Sequence, residues 1–428
     1  MDSRINRKRL FTAASLALVV TAMTFAIRAN LIEPLGLEFG LTPKEIGEVT
    51  AAAFWGFTLA MFIGGPLTDW LGLKRLFNFA FLGHLLGIVL TIFSVGYWTL
   101  FISTLMVGIG NGLVEAASYA MVSSMYLEQK AKKINDWHIW FPGGIVIGGV
   151  LAYGLNLLEA GWQWQMAIMI PPTLVYGYMF YGELFPKSER VEMGVTNREM
   201  IKECFRPLFL FMIVCMFLTA ATELGTNQWI VELLAEVGVP SILLLAFING
   251  LMAIGRANSA FFLKHFSITG VLLFSAIFSF IGLFWLSYAQ GYMAFVAAGV
   301  FAIGICFFWP TMIGFTSEYL PKTGPLGLSL MGGCGMLSVS LIIPYMGGLY
   351  GDQLALVTQS LNVDQATLQA AAEGTKQALL WGQAKVTAGA NTLRYISVLP
   401  GILIIAFGLL HLRFKRKGKT KASVGDHA

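Results

Sequence analysis

The chain has 428 residues, of which 57% are hydrophobic and 12% charged, with a formal charge of +5 and a mean hydropathy of +0.71. Such a composition excludes an ordinary soluble domain and places the chain among membrane proteins. The positive charge falls in short runs between apolar stretches, the pattern of membrane orientation and not of a nucleic-acid-binding face.

In chain order, hydropathy and turn punctuation predict about twelve spans, each near the roughly 20 residues that cross a bilayer. The first six are Leu10–Ile32, Ile46–Trp70, Leu73–Val95, Thr99–Tyr126, Trp137–Leu158 and Trp164–Leu184. Arg4, Arg7, Lys8 and Arg9 before the first run resemble a signal peptide, but that run is too long for a signal h-region. A polar linker, 185–206, divides the chain, and the second set is Pro207–Leu234, Ser241–Leu263, Ile268–Tyr288, Tyr292–Tyr319, Leu326–Tyr350 and Thr392–Leu412. The expected fold is an all-α membrane protein of two pseudo-symmetric six-helix halves, 1–184 and 207–414, with a basic tail, 415–428. Lys and Arg fall mostly on one side, in Lys74–Arg75, Lys130–Lys133, Lys187–Arg206 and Arg413–Lys421, which predicts both termini in the cytoplasm of the inner (plasma) membrane. The polar stretch 351–391 is expected as an outer loop whose middle, Asp364–Lys385, has helix propensity. It reads as a cover for the outer mouth, a partner site or a tolerated insertion.

The stretch WTLFISTLMVGIGNGLVEAASYAMVSSMY, Trp98–Tyr126, carries the sharpest functional signal. Glu115 lies well inside it, and a carboxylate at that depth costs on the order of 3 kcal/mol on insertion scales, so it faces a polar cavity or a partner. Asn111 precedes it by one turn, and Gly108, Gly110, Gly112, Ala116 and Ala117 allow close helix packing. A buried carboxyl can take up and release a proton as a cavity alternates between wet and closed, so Glu115 is assigned to proton coupling. The competing reading is a structural ion pair with a neighbouring helix.

Glu223, Asn227 and Gln228 form a polar patch in the seventh span, with amides and a carboxylate suited to sugar hydroxyls. Trp309 offers a face on which an apolar sugar surface could stack. Arg256 interrupts the apolar eighth span, either pairing with Glu223 or meeting an anionic solute. Arg28 is open to two readings: snorkelling at the outer boundary, or facing the cavity as a bidentate partner for carboxylate or phosphate. His138, in NDWHIWFPGG, could exchange a proton with Glu115 or sit at the interface, and Trp140 of the same motif is assigned to the solute path.

Between spans two and three the chain reads GGPLTDWLGLKR. This resembles the signature loop of the major facilitator superfamily through Gly65, Asp69, Gly72, Lys74 and Arg75, with Trp70 where a basic residue is usual. Those five are assigned to conformational gating, since an acid at a helix end can bridge neighbouring termini in one state. GNGLVEAASYAM, ATELGTNQWI, IGRANS, FFWPTMIGF and PKTGPLGLSLMGGCG resemble the fourth, seventh, eighth, tenth and eleventh helices of the fucose:proton symporter family of sugar permeases. The resemblance implies proton-coupled sugar symport, with Glu115 as the protonatable group and His138 near a sugar-binding position. That family carries an acid in its first helix, where this chain has Arg28, Ala29 and Asn30. With Asn30 in the solute set, the departure opens a rival expectation: an organic anion such as a sugar acid or organic phosphate, held by Arg28 and Arg256.

No phosphate-binding Gly-Lys-(Ser/Thr) loop, His-Glu-x-x-His or nucleophile elbow occurs, so no enzyme is expected. Cys204, Cys215, Cys306 and Cys334 show no metal-ligand spacing. No cofactor is expected beyond a coupling ion, proton or sodium. The expected partners are a small solute and the bilayer, with no nucleic acid, and the chain is expected to act as a monomer.

Overall fold

The computed structural model describes residues 4–126, 133, 136–186, 197–258, 266–361, 363–372 and 374–416, with the side chains of 65–70, 123, 197–200, 317, 321, 324 and 325 outside the description. The described elements are helices throughout. Ten are long and apolar enough to cross a membrane by length and composition. Two more complete the expected twelve: Ser241–Ala257, which is shorter, and a sixth span broken into Trp162–Ala167 and Ile170–Phe180. The break has a local cause, because Pro171 and Pro172 cannot donate to the preceding turn and are tolerated only where a helix begins. Elsewhere Asn6 caps the first span by accepting from the Arg9 amide at 3.1 Å. Gly72 turns the chain between spans two and three at φ +79°, a conformation that favours glycine.

The expected loop 351–391 is largely helical. The eleventh span runs without interruption from Gly324 to Ser360, and Lys376–Ile396 leads almost directly into Val398–Arg416. Both spans therefore project beyond bilayer length at the end of the bundle away from the termini. A short helix, Ile32–Phe39, unforeseen from the sequence, lies at that same end and stops at left-handed Gly40.

Spans one to six and seven to twelve each pack among themselves, and the two sets meet chiefly through spans two and eleven, five and eight, and one and seven. The far end is drawn tightly together. A Cβ on Gly47 would lie 3.0 Å from the Pro344 Cα, and one on Gly347 would run into the Pro43 backbone. Lys385 then ties the halves electrostatically, with Nζ 2.7 Å from Glu33 Oε1 of the first half and 3.4 Å from Glu236 Oε1 of the second. The Lys385 side chain is only 6% exposed, so water weakens this pairing less than at an open surface. Lys385→Ala should loosen this closure. Spin labels on cysteines replacing the exposed Leu37 and Leu379 should then show a larger long-distance population; an unchanged distribution would contradict a closing role for the pair.

Candidate functional site

Glu115 is carried by the fourth span, Tyr97–Met125, which glycines let sink between its neighbours. A Cβ on Gly108 would collide with the Ala53 backbone, and one on Gly110 would come within 2.5 Å of the His84 ring. Glu115 is 1% exposed. Its Oε1 lies 3.4 Å from His138 Nε2, while Oε2 is buried without a hydrogen-bond partner. The His138 ring lies nearly parallel to those of Tyr119 and Phe141, at centroid distances of 6.2 and 5.7 Å. These ring contacts hold the imidazole beside the carboxylate.

The second half supplies a matching pair. The seventh span widens into a π-helical turn, Ala221–Gly225, with Glu223 at its centre; such turns displace the backbone and re-aim side chains. Arg256 Nη2 donates to Glu223 Oε1 at 2.9 Å, and its Nε donates to the Cys306 carbonyl at 3.1 Å. Gly255 makes this reach feasible, since a Cβ there would meet Cys306 Sγ at 2.6 Å. Burying two charges requires a partner and hydrogen bonds to the donors, and this arrangement provides the partner and bonds to two of the guanidinium nitrogens.

The two pairs face one cavity between the halves, lined by Glu115, His138, Glu223, Arg256, Trp309 and neighbouring apolar side chains. Each half thus contributes one acid and one basic group. The free space is about 10 Å³, near what one water needs, so a sugar-sized solute could enter only with the halves moved apart.

Other expected site residues lie elsewhere. Asn111 lies one turn from Glu115 on the same helix but does not line the cavity: its Nδ2 donates to Thr24 Oγ1 at 3.0 Å, and its Oδ1 lies 2.8 Å from His84 Nε2. His84 Nδ1 lies 2.9 Å from the Tyr176 hydroxyl, closing a buried network across spans one, three, four and six. Asn30 donates to Gln165 Oε1 at 2.7 Å within an amide cluster that includes Asn156, packing spans one, five and six. Trp140 is 46% exposed and does not line the cavity. Arg28 occupies a separate cavity inside the first half, so the expected convergence of Arg28 and Arg256 on one solute does not occur.

Gln228 donates to the Phe25 carbonyl at 3.2 Å, across the contact between spans one and seven. Its Oε1, both side-chain polar atoms of Asn227 and the Thr226 hydroxyl are buried without hydrogen bonds. Buried polar atoms left unpaired are costly, so this turn is a ready place for a polar guest. Of the gating set, Lys74 and Arg75 are exposed, while the side chains of Gly65 and Asp69 lie outside the described residues.

Sequence reading missed His84. The rule that singled out Glu115, an ionisable group inside an apolar span, applies to it equally. It also missed Tyr119, which lies within electrostatic range of both Glu115 and Arg256.

Among the described residues, twelve spans in two sets, with facing charged pairs at a central cavity, have the architecture of a membrane transporter. The chain belongs to the Major Facilitator Superfamily, whose family model matches residues 13–353. It is similar to a gentisate transporter of Corynebacterium glutamicum, 23% identical over 224 residues, which cover 48% of this chain and 49% of that protein. It is also similar to a D-xylose transporter of Levilactobacillus brevis, 25% identical over 155 residues, covering 36% of this chain and 33% of that protein. The chain thus spans half or less of the length of these two relatives. Among solved structures, a bacterial homolog of the human lysosomal transporter Spinster, inward-facing and occupied, superposes with a TM-score of 0.79 at 13% identity, covering 99% of this chain and 100% of that one. That likeness concerns the fold alone. The proteins of this family and fold are transporters, not enzymes.

Proposed function

We propose that the protein is a proton-coupled symporter for a neutral polar solute of monosaccharide size, moved by rocking one six-helix half against the other. The observation that carries this reading is the pairing of Glu115 with His138 and of Glu223 with Arg256 around one cavity. Arg256 is already engaged by Glu223, so no free cation faces the cavity among the described residues, and an anionic solute would have to break that pair first. The likeness of spans four, seven, eight, ten and eleven to sugar permeases points the same way, as does the D-xylose relative.

Glu115 acts as the proton carrier. Ionised, it is a charge buried in a nearly dry cavity and favours a state in which water reaches it. Protonated, it can close into the apolar surroundings of Phe141, Leu224 and Met336 at lower cost. His138, 3.4 Å away, relays the proton in this reading. The unpaired atoms of Asn227 and Gln228, next to the π-turn, are the hydrogen-bonding groups best placed to meet solute hydroxyls once the halves part. Trp309 offers the stacking face. The basic loops support placing both termini in the cytoplasm.

A second reading, transport of an organic anion, is favoured by the gentisate relative and requires Arg256 to leave Glu223. Uptake into proteoliposomes under an imposed inward proton gradient separates the two. Neutral pentoses and hexoses are expected to accumulate above equilibrium while sugar acids and organic phosphates are not. Accumulation of anions alone would overturn the neutral-solute reading, and accumulation driven only by sodium would overturn proton coupling.

A further inference from the structure

Arg28 poses a separate problem. Its Nε, Nη1 and Nη2 are all buried and all lack a hydrogen-bond partner. No described acid pairs with it: at this end of the bundle Glu33 is bound by Lys385, Glu45 accepts from Thr42, Glu48 from the Tyr97 hydroxyl and Glu232 from the Tyr350 hydroxyl. The guanidinium rests against the rings of Phe25 and Phe54, with centroids 5.2 and 5.6 Å from Cζ. Aromatic faces attract a cation but supply no hydrogen-bond acceptor comparable to an anion. A buried cation without a counter-charge is among the costliest arrangements a fold can hold.

The guanidinium opens into a cavity lined by spans one, two, three, four and six and by the short helix Ile32–Phe39, inside the first half and apart from the cavity between halves. Every other lining residue is buried. The free space is about 20 Å³, which suits a guest the size of one or two waters and excludes a sugar or an organic acid. Most walls are aliphatic, including Leu31, Val49 and Met169. Thr24 and Thr91 also face the cavity but spend their hydroxyl protons on backbone carbonyls. Thr50 and Thr104 line it as well, with hydroxyls free to donate.

We propose that this cavity binds a small monovalent inorganic anion of the chloride type, held by the Arg28 guanidinium and the hydroxyls of Thr50 and Thr104. The anion neutralises Arg28 and completes the core of the first half. Its site is distinct from the solute path, so it stands whichever solute is carried.

The full-length protein in detergent tests this by thermal unfolding at constant ionic strength and pH. Chloride and bromide should raise the melting temperature by several degrees over gluconate, saturably, while sulfate, too large for the space, should not. Arg28→Gln should abolish the halide-dependent shift, and Thr50→Val should raise the chloride concentration needed for half of it. Equal melting in chloride and gluconate, or a shift that survives Arg28→Gln, would overturn the proposal as a general salt effect. Should Arg28→Gln fail to fold, bromide-containing crystals of the unmodified protein decide the matter. An anomalous peak within hydrogen-bond reach of the guanidinium is expected; its absence from a cavity occupied by water alone would refute the site.

Discussion

Glu115→Gln should abolish accumulation of solute under a proton gradient while leaving solute-for-solute exchange largely intact. One pH unit across the membrane corresponds to about 1.4 kcal/mol, enough for about tenfold accumulation by a symporter moving one proton per solute. The amide keeps the size and much of the hydrogen bonding of a protonated carboxyl, so the halves can still close around solute. It cannot deliver a proton to the other side, and the accumulation ratio should fall from about tenfold per pH unit to about one. Proteoliposome uptake with and without the gradient, alongside counterflow of labelled solute, reads both quantities. Retention of full accumulation by Glu115→Gln would transfer the coupling role to another group, His84 and Glu223 being two buried titratable candidates within the spans.

The largest expected effect on stability lies in the other half. Arg256→Met leaves Glu223 buried with its main partner gone, a loss of about 3–5 kcal/mol for comparable buried pairs. Glu223→Leu combined with Arg256→Met removes both charges and should recover all but about 1 kcal/mol, because the double change leaves no uncompensated charge. Chemical unfolding in detergent measures both. Transport should be lost in the double variant even though its fold is restored, since the charged pair that faces the cavity is gone. Additive destabilisation in the double variant would mean that Arg256 and Glu223 are not coupled as the 2.9 Å contact implies.

Much of the architecture was legible because hydropathy and local breakers act within a single span. The first four spans and the seventh span fall where apolar runs, Pro43, Gly72, Gly96 and Pro207 place them. The break at Pro171–Pro172 was equally readable from the chemistry of proline, yet the run was taken as one helix because its hydropathy is continuous. The region 351–391 misled for the opposite reason. Its polar composition suggested a loop with helix only in its middle, but the helix from Gly324 continues to Ser360 and a second runs from Lys376, with Tyr350 and Gln353 on the first and Lys385 on the second making contacts that no local pattern encodes.

The site divides along the same line. Glu115 and Glu223 were legible individually, as acids in apolar surroundings. That Glu115 meets His138, 23 positions away, and that Glu223 meets Arg256 depend on tertiary packing, and the sequence could only offer these as alternatives. Periodicity placed Asn111 beside Glu115, but the Gly110–His84 approach draws the amide into the network with Thr24. Arg28 and Asn30 lie two positions apart and so on different faces of the helix, one in its own cavity and the other in an amide cluster.

In the proposed mechanism solute and proton cross together through the cavity at Glu115. Its most direct test is the pH change outside vesicles, weakly buffered and with no imposed gradient, when a transported sugar is added. Downhill influx should draw protons in and alkalinise the medium in proportion to the sugar taken up, and Glu115→Gln should take up sugar with no pH change. Sugar influx by the unmodified protein with a silent pH electrode would contradict the account.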